Sequence, residues 1–499
     1  MKTVTPDSVE AEARGLISEV LEAFRGSGSY PRGSASRLIE LATSPDPLVS
    51  EPATRAFFTS LVEPLADSFH PAGVSLYNRL FSQLIEQSRN AIPDLDRELR
   101  SAGLESEARI LSRAESLRRS ERLRMSFEEK RRITRVIVLS RVTLGADVAI
   151  TSRIIDRAKR EFPAAEIILV GGSKASELFG GDTRMRFEEI AYQRAGTTVE
   201  RLLTWIKLRD LAGRLSNEAG PGRSIIFDPD TRLTQLGLLP AGPDLSEPDR
   251  YLFFPSREFL STSAHSLGEL ASLWLDLLFE TSQPSLPFLS LKAADVEAAR
   301  RFTSALGQNG ARPIVTINFG VGENRLKRAS DDFEKRIVRL LIREGMRLVL
   351  DRGAGPDEAR RFEAILADCA ATARVVELDE ERARGVTEVM DAVAGADILT
   401  WSGRIGILAA FISESDLYIG YDSAGQHIAA AAAVPSIDVF AGFSSRRMLD
   451  RWRPAGRAES SVVVVESAGE QSISVAAVVL DHARKMIERI RPHKRQEPA

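Results

Sequence analysis

The feature that most constrains this chain is a change in the spacing of its apolar residues at Arg135. Before it, they recur at helical intervals. Val9, Ala13, Leu16, Ile17, Val20, Leu21 and Phe24 share one face; Phe57, Phe58, Leu61, Val62 and Leu65 form a second, and Leu76, Leu80, Phe81, Leu84 and Ile85 a third. Pro31, Pro45, Pro47, Pro52, Pro64, Pro71 and Pro93 punctuate these stretches, as proline does at helix boundaries. After Arg135, short apolar runs appear at 136–140, 166–170, 224–227 and 251–254. A second series follows at 314–319, 347–350, 374–377, 397–400, 417–420, 436–440 and 462–465. Amphipathic stretches alternate with them, at 148–161, 197–215, 267–279, 331–344, 356–369, 404–413, 424–433 and 474–490. Strand–helix alternation predicts parallel sheets covered by helices, and two series predict two Rossmann-like lobes. The join is expected near the proline-bearing stretch 283–288. The expected division is therefore a helical domain at 1–131, one lobe at 132–290 and a second at 291–499. A length of 499 residues, too great for one core, agrees with that division.

Composition narrows the function. A net charge of −3 gives no support to a nucleic-acid binder. Cys369 is the single cysteine, so no internal disulfide forms and a reducing compartment fits. The five histidines are scattered without metal-ligand spacing, and no metal site is expected. No apolar run approaches the ~20 residues that cross a bilayer. The first residues lack the apolar core of a secretory signal, so a cytoplasmic location is expected. Residues 105–132 read as one charged helix, with ten Arg or Lys from Arg109 to Arg135. Two readings stay open for it: a solvated connection, or a basic surface resting on anionic headgroups at the inner face of the cytoplasmic membrane.

In doubly wound sheets ligands sit beyond the C-terminal ends of strands, so chemistry is sought there. The first run leads into Thr143-Leu144-Gly145-Ala146-Asp147, a glycine-bearing turn into a helix at which Asp147 reads as a helix cap. The second series opens with a loop holding Gly320 and Gly322, followed by Lys327 and Arg328. Such a loop can approach a phosphate and its cations neutralise one, although a solvated Lys-Arg pair has the same sequence. The densest signal is Asp422-Ser423-Ala424-Gly425-Gln426-His427, between an apolar run and an alanine-rich helix. The helix N-terminus suits a diphosphate; Asp422 or Ser423 could equally be caps, and His427 a core histidine. Asp228-Pro229-Asp230 has the DxD form of metal-dependent sugar transferases, but proline between the carboxylates favours a turn.

Together these pieces resemble the heptosyltransferases of glycosyltransferase family nine, over roughly residues 133–466 and in the family's order. The family's Gly-Asp turn corresponds to Gly145-Ala146-Asp147, with Ala146 additional. Its Lys ahead of Trp-Pro-x-x-x-Phe corresponds to Lys327, with Phe333 kept and the Trp-Pro absent. Its Asp-Ser/Thr-Gly-x-x-His motif corresponds to Asp422, Ser423 and His427, with Gly425 one place late; Val434-Pro435 and Trp452-x-Pro454 follow as in the family. The resemblance implies an α/β, GT-B architecture, two Rossmann-like lobes facing a cleft behind an all-α N-terminal domain. It implies an inverting glycosyltransferase with Asp147 as base and the acceptor on the N-terminal lobe. Gly145, Lys327, Glu358, Gly403, Asp422, Ser423, Gly425 and His427 would serve the donor. That donor would be ADP-heptose or a related nucleotide sugar, and the acceptor a glycan or lipid-linked lipopolysaccharide core. No separate cofactor is implied. The alternatives are a catalytically degenerate nucleotide-sugar-binding or scaffold protein, and a nucleotide-sugar epimerase on the same fold.

Overall fold

The computed structural model describes residues 5–118, 123, 125–192, 196–242, 250–308, 311–322, 324–384, 386–465 and 472–494. Two parallel sheets organise the chain after Arg135. The first holds β1 (Arg135–Leu139), β2 (Glu166–Gly171), β3 (Met185–Glu189), β4 (Ser224–Asp228) and β5 (Tyr251–Phe253), in the order β3-β2-β1-β4-β5. The second holds β6 (Ile314–Asn318), β7 (Arg347–Asp351), β8 (Val375–Asp379), β9 (Ile398–Ser402), β10 (Leu417–Tyr421), β11 (Ser436–Ala441) and β12 (Ser460–Val465). Its order is β12-β11-β10-β6-β7-β9-β8. Helices cover both faces, which is why Val136 to Leu139 and Leu417 to Tyr421 are buried without alternation. Strand order reverses between β1 and β4 in one lobe and between β10 and β6 in the other. In sheets of this kind such reversal points are where ligands bind.

One strand was not visible in the sequence pattern. β3 pairs only with β2, and Met185 alone among its residues is buried. Its charged residues are the kind that protect a sheet edge, and they hide the strand from a hydrophobicity reading.

The N-terminal part is helical, from Pro6–Ser27 through Glu107–Arg118. Pro52 lies inside the helix Pro47–Phe57 and so does not mark a boundary as expected. The helix instead runs on through a π turn, Phe58–Val62, into Glu63–Asp67, where Pro64 needs no amide hydrogen. The helical core is shared with the first lobe, since Leu202, Trp205, Leu236, Leu238 and Leu239 belong to the same apolar cluster. Trp205 Nε1 donates to the Pro240 carbonyl at 2.7 Å, and Arg209 donates to the Glu98 carbonyl at 2.6 Å. The charged stretch 105–132 forms two helices, Glu107–Arg118 and Phe127–Arg132, with 119–122 and 124 outside the described residues. The first turns cations inward: Arg113 lies over the Tyr251 ring and Arg118 pairs with Glu258 at 3.0 Å.

The lobes are pressed together. One apolar cluster runs from Val136, Ile150 and Trp274 in the first lobe to Trp401, Phe411 and Ile428 in the second. Arg451, buried, reaches across to the carbonyls of Leu260 and Ser261 at 3.2 and 3.1 Å. The Gly406 amide donates to Glu177 at 3.0 Å.

Candidate active site at the facing strand ends

At the reversal point of the second lobe, β6 leads through the glycine loop to a short 3-10 turn, Arg325–Lys327. Beside it β10 ends in Asp422 and Ser423, and the helix Ala424–Ala431 begins. Lys327 Nζ lies 2.6 Å from Asp422 Oδ2 and 3.4 Å from its carbonyl oxygen. Gln426 Nε2 donates to Asp422 Oδ1 at 2.9 Å. Asp422 is thus held by Lys327 and Gln426, and its carboxylate is not a helix cap. Ser423 stands in the cap position, yet makes no capping bond, and its buried Oγ lies beside the Tyr418 hydroxyl.

The other second-lobe residues shape this site more than they enter it. A Cβ on Gly425 would lie 2.0 Å from Tyr418 Oη, so this glycine is required by packing against the strand. A Cβ on Gly403 would lie 2.4 Å from Trp401 Cζ2. Glu358 joins two loops: Oε1 accepts from the Val321 and Gly322 amides at 3.0 and 3.1 Å, Oε2 from the Ala354 amide at 2.8 Å. His427 is buried beside Trp452, and burial pushes its imidazole down to about 4, so it is neutral at pH 7. Asp351, at the end of β7, had no motif to announce it; burial pushes its carboxyl up to about 7, and Asn318 donates to it at 2.6 Å.

The first lobe meets this helix directly. A Cβ on Gly145 would lie 3.2 Å from both Ala424 Cα and His427 Cδ2, so glycine permits the contact. After Ala146 the chain passes directly into a π turn, Asp147–Thr151. Asp147 is 3% exposed. Its oxygens accept from Ser140 Oγ at 2.6 Å, the Arg141 amide at 2.8 Å and Thr151 Oγ1 at 2.8 Å. Burial raises its carboxyl above the ordinary range, against those three hydrogen bonds. In this arrangement Asp147 ties the β1 end to the following helix and offers the cleft no free oxygen. Asp228 and Asp230 are similarly engaged. Asp228 accepts from the Thr231 amide, Thr234 and Tyr251 at 3.0, 2.7 and 2.6 Å; Asp230 accepts from Ser256 at 2.8 Å and Arg257 at 3.0 Å.

Two facing Rossmann-like lobes form a known arrangement. A solved structure of a family 9 glycosyl transferase from Veillonella parvula DSM 2008 matches 74% of this chain over its own whole length, with a TM-score of 0.52 and 16% identity. The chain has the GT-B fold of that family. E. coli ADP-heptose LPS heptosyltransferase II covers 72% of the chain over its own whole length, with a TM-score of 0.47 and 14% identity. E. coli heptosyltransferase WaaC with ADP covers 71%, again over its whole length, with a TM-score of 0.45 and 12% identity. No protein-family model and no curated protein matches the sequence. Set on the GT-B frame, Gly145, Lys327, Asp422, Ser423 and His427 converge where the lobes meet. Glu358, Gly403 and Gly425 support the surrounding loops and strands.

Two charged residues electrostatically linked to this site had no motif to reveal them. Arg232 follows β4, and Asp67 ends a helix of the N-terminal unit. Asp67 feels the charges of Arg232, Glu63, Lys327 and Asp422. Only the tertiary fold brings them there.

Proposed function

We propose that this chain is an inverting glycosyltransferase moving a sugar from a nucleoside-diphosphate donor to a hydroxyl of a glycan or lipid-linked acceptor. The observation carrying this reading is the convergence of Lys327 and the N-terminus of the helix Ala424–Ala431 at the reversal point of a GT-B lobe. The donor's diphosphate would exchange Asp422 for itself on Lys327 and receive the helix's partial positive charge. As the acceptor oxygen attacks the anomeric carbon, those groups stabilise the negative charge gathering on the departing diphosphate. Attack opposite the leaving group inverts the configuration. The family resemblance favours a heptose and a lipopolysaccharide-core acceptor, with the enzyme resting on the inner face of the cytoplasmic membrane. Among the described residues no helix is long and apolar enough to cross a membrane.

A second reading, a nucleotide-sugar-binding protein without turnover, is favoured by the engaged carboxylate of Asp147. Thermal shift with nucleosides, nucleoside diphosphates and nucleotide sugars tests the binding that both readings share, because a ligand of the native state raises its apparent stability. Diphosphates should raise the Tm well beyond their nucleosides. No shift with any of them at millimolar concentration would remove both readings.

A further inference from the structure

We propose that Asp67, supplied by the helical unit, is the base that takes the acceptor hydroxyl's proton; this rests on the transferase reading above. The turn that carries Asp67 is seated between the lobes. Phe69 is 2% exposed and belongs to the apolar cluster that both lobes share. Arg447 of the second lobe donates to its carbonyl at 3.0 Å. On either side the turn is tied to its own helices: Ser68 Oγ donates to the Leu65 carbonyl at 2.8 Å, and His70 Nδ1 accepts from the Ala72 amide at 3.2 Å. Asp67 is therefore carried on a turn held at both ends, within electrostatic reach of Arg232 after β4 and of the Lys327–Asp422 pair.

Its carboxylate differs from those of the five acids described at the facing strand ends. Asp147, Asp228, Asp230, Asp422 and Glu358 all spend their oxygens on protein donors. Asp67 makes no hydrogen bond or ion pair with any described residue and is half-buried. Burial raises its carboxyl from the ordinary range, opposed first by Arg232, which brings it nearer the pH at which a base works. In the step proposed, the acceptor O–H bond breaks and its proton passes to Asp67. The acceptor oxygen bonds to the anomeric carbon, and the bond from that carbon to the phosphate oxygen breaks. The nucleoside diphosphate leaves with the electron pair.

The test compares the full-length chain with Asp67→Asn and Asp67→Glu, reading kcat against pH, donor Kd and Tm. Asp67→Asn should lower kcat ~100- to 10,000-fold and remove the acid limb of the pH profile, with donor Kd and Tm kept. Asp67→Glu should restore part of the rate. Wild-type kcat from Asp67→Asn would overturn the proposal and leave the transferase reading standing. A fall in Tm in both variants without a separable loss of kcat would overturn it too, making Asp67 structural. A wild-type chain that transfers no sugar would defeat the transferase reading and the base with it.

Discussion

Lys327 Nζ and Asp422 Oδ2 stand 2.6 Å apart, joining the loop after β6 to the end of β10 at the point where strand order reverses. The side chains are 23% and 9% exposed, so the cation can be reached from solvent while its partner is nearly enclosed. On the proposed function, an entering diphosphate would compete with Asp422 for this lysine. Lys327→Ala should weaken nucleoside-diphosphate binding by about 1.5–3 kcal/mol, the worth of a charge-assisted contact, and leave nucleoside binding almost unchanged. Titration calorimetry checks this, and equal losses for both ligands would assign Lys327 to the fold.

Asp147→Asn should be costly to stability. Three donors converge on this carboxylate, and an amide turns an N–H group toward at least one of them. A buried donor left without an acceptor costs about 1–3 kcal/mol. Denaturant unfolding should show that loss; an unchanged midpoint would mean that the β1 end does not depend on Asp147.

Much of this fold was legible in the sequence because its strands are buried on both faces. Continuous apolar runs such as those of β1 and β10 mark them, and the expected helices 267–279 and 356–369 coincide with Leu267–Phe279 and Pro356–Cys369. The β3 strand was hidden because an edge strand carries charge. The motif at Asp422–His427 was legible because a strand, an acid and a small-residue helix lie adjacent in the chain. What each group does was not: whether Asp147, Glu358 or Gly425 faces a ligand or its own backbone depends on residues far away in sequence. Asp67 and Arg232 were invisible for the same reason, being brought together only by packing between the helical unit and the lobe.

The pH dependence of stability should carry the mark of Asp438. This carboxylate lies on β11, fully buried, with one oxygen accepting from Ser436 Oγ at 2.7 Å and the other unpartnered. Burial pushes it up to about 8. The folded chain then keeps a proton that the unfolded chain loses near pH 4, so stability falls as pH rises from about 4 to about 8. The slope from one such group approaches ~1.4 kcal/mol per pH unit. The difference between wild type and Asp438→Asn isolates this group from His427, whose depressed value acts in the opposite direction between about 6.5 and about 4. A pH-independent difference would contradict the assignment.

Deleting residues 1–126 should not leave a well-behaved pair of lobes. Leu202, Trp205, Leu238 and Leu239 would lose the helical surface that covers them, and the cleft would lose Phe69. Each large apolar side chain so exposed forfeits about 1.5–3 kcal/mol. The shortened chain should be insoluble or unfold well below the full-length Tm. A cooperative transition at the full-length Tm would show that the helical unit is dispensable for folding.

The central claim is that this GT-B chain consumes a nucleotide sugar. The direct measurement is release of nucleoside diphosphate from a panel of donors, ADP-heptose among them, by the full-length chain with and without glycan acceptors. The anomeric configuration of the product would be read by NMR. The account predicts that one donor is turned over with inversion, faster when its acceptor is present. Donors that bind, raise the Tm and are never consumed under any of these conditions would contradict it.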